Sequence, residues 1–188
     1  MKIRIIGYAG SGKTSLTIKL QEKYIIQGIS LDDYLKIKDK TQRANTLESR
    51  LSMLDSWIVE GVQVSPWTRK TFTDADLVVI LDYPIYVTQY RVFKRAMTQV
   101  FDPKRNMNQK KKAMKRMFKL FKWNSRFRKR LPAIKANLNK QPMAVMILES
   151  PKDENRLHQY IKKQNRLKKH RLDRKQQVRN NTKKESRK

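Results

Sequence analysis

The chain contains no cysteine, which excludes a disulfide scaffold and a thiolate metal site. Long apolar runs are missing as well. Those at 77–81 and 143–148 fall far short of the roughly 20 residues a helix needs to cross a bilayer. A soluble, cytoplasmic protein without a transmembrane segment is expected. Glycine is scarce, with five in 188 residues, and acidic residues are outnumbered: 45 Lys and Arg face 16 Asp and Glu, for a net charge of +29. That imbalance is local. Residues 1–103 hold 15 basic and 11 acidic side chains, whereas 104–140 hold 15 and none, and 161–188 hold 13 and 2. A nearly neutral core thus bears a basic insert and a basic tail, both attracted to polyanions.

Three of the glycines, Gly7, Gly10 and Gly12, stand in a short stretch that ends in Lys13-Thr14. The spacing satisfies G-x-x-x-x-G-K-[ST] at every constrained position, and the β-branched run Ile3-Arg4-Ile5-Ile6 precedes it. Glycines let such a loop curl so that successive N–H groups point at phosphate oxygens. Lys13 brings a charge to the β- and γ-phosphates, and the Thr14 hydroxyl can ligate Mg²⁺. Gly7, Ala9, Gly10, Ser11, Gly12, Lys13, Thr14 and Ser15 are the expected nucleotide-binding residues. A helix starting near Lys13, with Leu16, Leu20 and Tyr24 on one face, would aim its positive dipole end at the same anion.

Further strands are expected at 28–33, 57–62, 76–82 and 143–148, and helices at 41–56, from Pro84 to about 101, and from about 152. The near-continuous apolar character of the strands suits a parallel sheet covered on both faces. The alternation predicts a doubly wound α/β fold, three layers α/β/α around five parallel strands, with ligands at the carboxyl ends of the strands. The insert, about 102–140, carries Met114, Met117, Phe118 and Phe121 at helical spacing among lysines. It reads as a basic amphipathic helix that packs its stripe on the domain, lids the nucleotide, or meets nucleic acid. Residues 1–165 are expected to form one domain, and 166–188 a basic tail in which a fraying helical extension ends in disorder.

Carboxylates fall at the expected strand ends: Asp32 and Asp33 on the second, Glu60 on the third and Asp82 on the fourth. Mg²⁺ in such sites is held by the loop hydroxyl and a nearby acid, which makes Thr14 and Glu60 the candidate metal ligands. A hydroxyl acceptor needs a carboxylate to take its proton, the role open to Asp32. Asp33 and Asp82 serve equally well as helix caps. Arginines neutralise charge on a transferring phosphoryl group. Arg91 and Arg95 share one helix face, and Arg69 sits in a loop that could reach an acceptor. Lys13, Asp32, Arg91 and Arg95 are the catalytic candidates, and Asp33 and Arg69 the substrate-contacting ones.

Together these residues resemble the P-loop NTPases of the nucleoside and nucleotide kinase type. The best match is to the adenylate kinase-like proteins also called DNA topology modulation proteins. The likeness is carried by 7–14, Leu31-Asp32, 57–61, Arg69, 75–84 and 91–95, with a weaker match at 147–152. The family's third strand usually ends in aspartate-glycine, where this chain has Glu60-Gly61. Asp32-Asp33-Tyr34 also resembles a run in uridine and nicotinamide riboside kinases whose first aspartate is the base. The resemblance implies ATP and Mg²⁺ as cofactors and a phosphoryl transfer to a nucleoside, nucleotide or related small acceptor. The alternatives are a DNA- or RNA-binding protein whose nucleotide site is regulatory, and a kinase acting on RNA.

Overall fold

The computed structural model describes the backbone of residues 1–185, and side chains as far as His170 and at Asp173 and Arg174. Strand β1 (Lys2–Gly7) enters the loop and is followed by α1 (Lys13–Tyr24), β2 (Gln27–Ser30), α2 (Leu31–Tyr34) and α3 (Lys40–Ser52). Then come β3 (Trp57–Glu60), α4 (Lys70–Thr73), β4 (Leu77–Leu81), α5 (Ile85–Phe101), α6 (Met107–Asn139), β5 (Ala144–Leu148) and α7 (Glu154–Glu185). The five strands form one sheet in the order β2-β3-β1-β4-β5, every pairing parallel. The fold is α/β, as expected.

The order places β1 at the centre, flanked by β3 and β4, so the loop leaves the sheet at the crevice where ligands bind in open parallel sheets. Strands β1, β3 and β4 are wholly buried from Ile3 to Gly7, Trp57 to Glu60 and Leu77 to Leu81. That burial is why they read as near-continuous apolar runs and not as alternating ones. One core cluster joins Ile6, Trp57, Val59, Val78 and Ile80 to Phe127, Leu131 and Leu138 of α6. The long insert helix is therefore core in its C-terminal half.

Several boundaries differ from expectation for local reasons. The second strand stops at Ser30, and Leu31, Asp32 and Asp33 begin α2, Asp32 and Asp33 lying in its first turn. Carboxylates there complement the helix dipole. Helix α3 starts at Lys40 because Asp39 caps it, accepting from Gln42 N–H at 2.6 Å. Asp82 does not cap α5. It accepts from Lys135 Nζ at 2.5 Å and is hydrogen-bonded to Tyr8. Phe118 leaves the expected stripe and is 61% exposed, while Ala113, Met117, Asn124, Phe127 and Leu131 make the buried face. One residue past Met117, it has turned about 100° away.

The chain divides into two compact units, Met1–Ser150 and Pro151–Lys188. Among its described residues the second holds a 3₁₀ turn, Pro151–Asp153, and α7, with Arg156 Nη1 3.8 Å from Asp153. Helix α7 runs on to Glu185, so the described part of the basic tail is helical; 186–188 lie outside the described residues. Among the described residues no helix is long and apolar enough to cross a membrane.

Candidate active site

Two glycines set the loop's path. Gly10 and Gly12 have φ of 83° and 92°, a region that strains residues with a Cβ. At Gly10 a Cβ would also lie 2.6 Å from the Thr88 carbonyl oxygen, so α5 rests directly on the loop. Gly12 then hands over to α1, whose first bond runs from Leu16 N–H to Gly12 O at 2.9 Å.

Lys13 folds back over the loop, donating from Nζ to Tyr8 O at 2.8 Å and Gly7 O at 3.3 Å. It is buried, and desolvation lowers its pKa from 10.5 to about 8, opposed by the charges of Glu60 and Asp32. The group thus sits close to its titration point in a site shaped for anions.

Beside it, Glu60 Oε1 accepts from Thr14 Oγ1 at 3.2 Å and from Ser30 Oγ at 2.9 Å. Asp32 Oδ1 accepts from Gln63 Nε2 at 2.8 Å. Among the described residues no group of three or more His, Cys, Asp or Glu could hold a metal ion. The hard oxygens of Thr14 and Glu60 fit Mg²⁺, which takes only one or two protein carboxylates and completes its shell with water and phosphate oxygens.

These groups line one cavity of about 440 Å³, within the range of small-molecule sites. The loop side contributes Ala9, Gly10, Gly12, Lys13, Thr14 and Ser15, with Asp32, Glu60 and Gln63 next to them. The α5 and α6 side adds Val92, Met117, Leu120 and Trp123, together with Arg95 and Arg116. One end of the cavity is therefore polar and the other largely apolar.

Not every candidate is there. Arg91 stands beside the loop, with Nη1 3.9 Å from where a Gly12 Cβ would lie and its guanidinium 5.6 Å from the Tyr83 ring. Asp33 lines a different hollow with Arg50, and Arg69 a third cavity with Phe72 and Leu138. Gly7 supplies a carbonyl to Lys13, and the Ser11 hydroxyl is buried without a hydrogen-bond partner among the described residues.

Four residues that motif reading passes over complete the surroundings. Gln63 and Arg116 line the cavity. Asn124, fully buried on α6, hydrogen-bonds both ways with the Ala9 peptide. Arg4, fully buried in β1, donates to the carbonyls of Ile5, Val59, Gly61 and Gln63 at 2.8–3.2 Å and lies 5.0 Å from the Phe72 ring. Burial lowers its pKa to about 9 against the pull of Glu60, so it remains a cation at neutral pH and braces the chain just past β3. The one signal for Arg4 was a lone charge inside an apolar strand. Asn124 and Arg116 gave none.

Next to the loop, Tyr8 packs edge-on against Phe127, ring centroids 5.2 Å apart, and Phe127 stacks on Trp123 at 5.1 Å. Burial first, then the charge and hydrogen bond of Asp82, push the Tyr8 hydroxyl up to about 12, with Arg128 opposing.

No protein-family model matches the chain, and no curated protein matches it. Among solved structures it is similar to shikimate kinase from Acinetobacter baumannii in complex with shikimate, at 16% identity and TM-score 0.41, over 72% of this chain and 93% of that one. It is also similar to deoxyadenosine kinase from M. mycoides with products dCMP and a flexible dCDP bound, at 16% identity and TM-score 0.49, over 88% and 99%. Likeness at this level carries no chemistry across, so function rests on the site itself.

Proposed function

We propose that the chain transfers the γ-phosphoryl group of ATP to a nucleoside, a nucleotide or a related small acceptor. The observation that carries this reading is the convergence of Lys13, Thr14, Asp32, Glu60 and Arg95 on a single cavity. Loop N–H groups from Gly10 to Ser15 cradle the β- and γ-phosphates, and Lys13 exchanges its carbonyl partners for phosphate oxygens. Thr14 and Glu60 would hold Mg²⁺, which when bound would neutralise charge on those phosphates. A cytoplasmic place of action, where ATP is available, belongs to the same reading.

In the transfer, the acceptor oxygen bonds to the γ-phosphorus as the bond to the bridging oxygen breaks. Where the acceptor is a hydroxyl, its proton passes to Asp32, which Gln63 orients by its hydrogen bond; a phosphate acceptor needs no base. Arg95 and Arg116, which line the same cavity, neutralise charge that spreads over the transferring group in this reading. The apolar end, with Met117, Leu120 and Trp123, suits an acceptor with a planar or apolar body. Asp33 and Arg69, outside the cavity, have no part in this step.

The test is transfer of labelled γ-phosphate from Mg-ATP to pooled nucleosides and nucleoside monophosphates, run beside Lys13→Ala. Label moving to one pool with the wild type alone supports the reading. Wild-type protein that moves no label to any pool, or a variant as active as the wild type, overturns it.

A further inference from the structure

The outward side of α6 is a continuous cationic stripe. Ten Lys and Arg between Lys111 and Arg130 are exposed, and no acidic residue occurs from 103 to 148. At 100° per residue, nine of the ten fall within an arc of about 140°. Lys111 and Lys129 mark one edge and Arg116 the other; Arg128 alone lies off it. The stripe is about 30 Å long at 1.5 Å per residue. Its Arg116 edge lines the phosphate cavity.

Exposed aromatic rings accompany the stripe. Phe118 is 61% exposed beside its Lys111 and Lys129 edge. On α5, Tyr86, Tyr90, Phe93 and Phe101 are exposed and share one face within about 80°. The two helices pack on each other through Val92, Ala96 and Met117, with Met97, Met114 and Phe121 against that cluster. Phe93 lies one turn from Met97, and Phe118 one turn from Met114 and Phe121.

We propose that this face of α6, with the aromatic row of α5, docks single-stranded nucleic acid. Cations along a groove to follow phosphates, with rings on which bases stack, is the chemistry that binds single strands without sequence preference. A duplex hides its base faces from such rings. A membrane-surface helix needs its apolar side free for lipid, but that side of α6 is already buried through Ala113, Met117, Phe127 and Leu131. The docking needs no ATP, so it stands apart from the phosphoryl-transfer reading.

The experiment is fluorescence anisotropy with a labelled 12-nucleotide single strand and the full chain, without nucleotide, between 50 and 200 mM salt. The comparisons are a variant with Lys111, Lys115, Lys119 and Lys122 each changed to Gln, a matched variant with Lys162, Lys163, Lys168 and Lys169 changed to Gln, and Phe118→Ala. All change exposed residues, and circular dichroism checks their folding. The α6 variant should bind about tenfold or more weakly and lower the salt slope by about 2 to 3, near 0.7 per lost contact. The matched variant should change affinity less than about threefold. Phe118→Ala should weaken binding about fivefold or more with the slope unchanged, since stacking is not ionic. Four results overturn the proposal: loss of binding only in the matched variant, no effect of Phe118→Ala, a duplex bound as tightly as the single strand, or anionic vesicles bound through the α6 lysines while the oligonucleotide is not.

Discussion

Asn124 and Ala9 are joined by a closed pair of hydrogen bonds: the Asn124 carbonyl accepts Ala9 N–H at 2.8 Å, and its amide donates to Ala9 O at 3.0 Å. A side chain 115 residues away thereby fixes the peptide in the middle of the phosphate loop. The insert helix is pinned to the loop at this point, and only its N-terminal part extends along the cavity. Asn124→Ala leaves both Ala9 groups without their partner, at a cost of about 1–3 kcal/mol. Urea unfolding should show that loss, with weaker nucleotide binding alongside. An unchanged midpoint would contradict the clamp.

Nucleotide affinity should fall as pH rises through the Lys13 titration. The free group has a pKa of about 8, and a bound phosphate raises it, so binding takes up a proton between those values. Affinity is full below about 8 and drops by up to tenfold per unit above it. Calorimetry at pH 8.5 in two buffers of different ionisation heat reads the proton directly, and Lys13→Arg should abolish the uptake because its guanidinium does not titrate there. For the free protein the sign is opposite. The unfolded chain holds the proton up to 10.5, so the Lys13 contribution to stability rises with pH from about 8 to 10.5.

Arg4→Met should cost about 3–5 kcal/mol, since it removes the donors to four carbonyls and one of the two cations, with Lys13, that favour the Glu60 charge. Guanidinium unfolding measures it. A change below about 1 kcal/mol would mean the bracing is dispensable.

Ile25 ends α1 in the left-handed region, φ 53° and ψ 49°, with its side chain exposed and its N–H on Gln21 O. A β-branched residue is strained there. Ile25→Gly should raise stability by about 1 kcal/mol in thermal unfolding without touching the site; lower stability would count against the strain.

The sheet was legible because its strands are buried on both faces and show as apolar runs, and the loop because glycine and lysine spacing is dictated by local geometry. Asp32 and Glu60 could be placed because they flank strands that end at the loop. The second strand was overextended since Leu31 is as apolar as a strand residue and α2 has only four residues. Asn124 and Gln63 acquire meaning only through partners far along the chain, and Arg116 only through the cavity it lines, which no local pattern encodes. Asp33 was drawn in as the neighbour of Asp32, and Arg69 by the loop that holds it, but one residue of helix turns Asp33 away from the cavity that Asp32 enters, and Arg69 lines another cavity.

That contrast gives the most direct test of the account, in which the cavity between the loop and α6 is the catalytic site. Once an acceptor hydroxyl is found, single-turnover phosphoryl transfer should be measured for Asp32→Asn and Asp33→Asn. Loss of the base should slow Asp32→Asn by about 10²–10⁴-fold, with Asp33→Asn close to wild type. A fast Asp32→Asn, or a slow Asp33→Asn that is still fully folded, would contradict it.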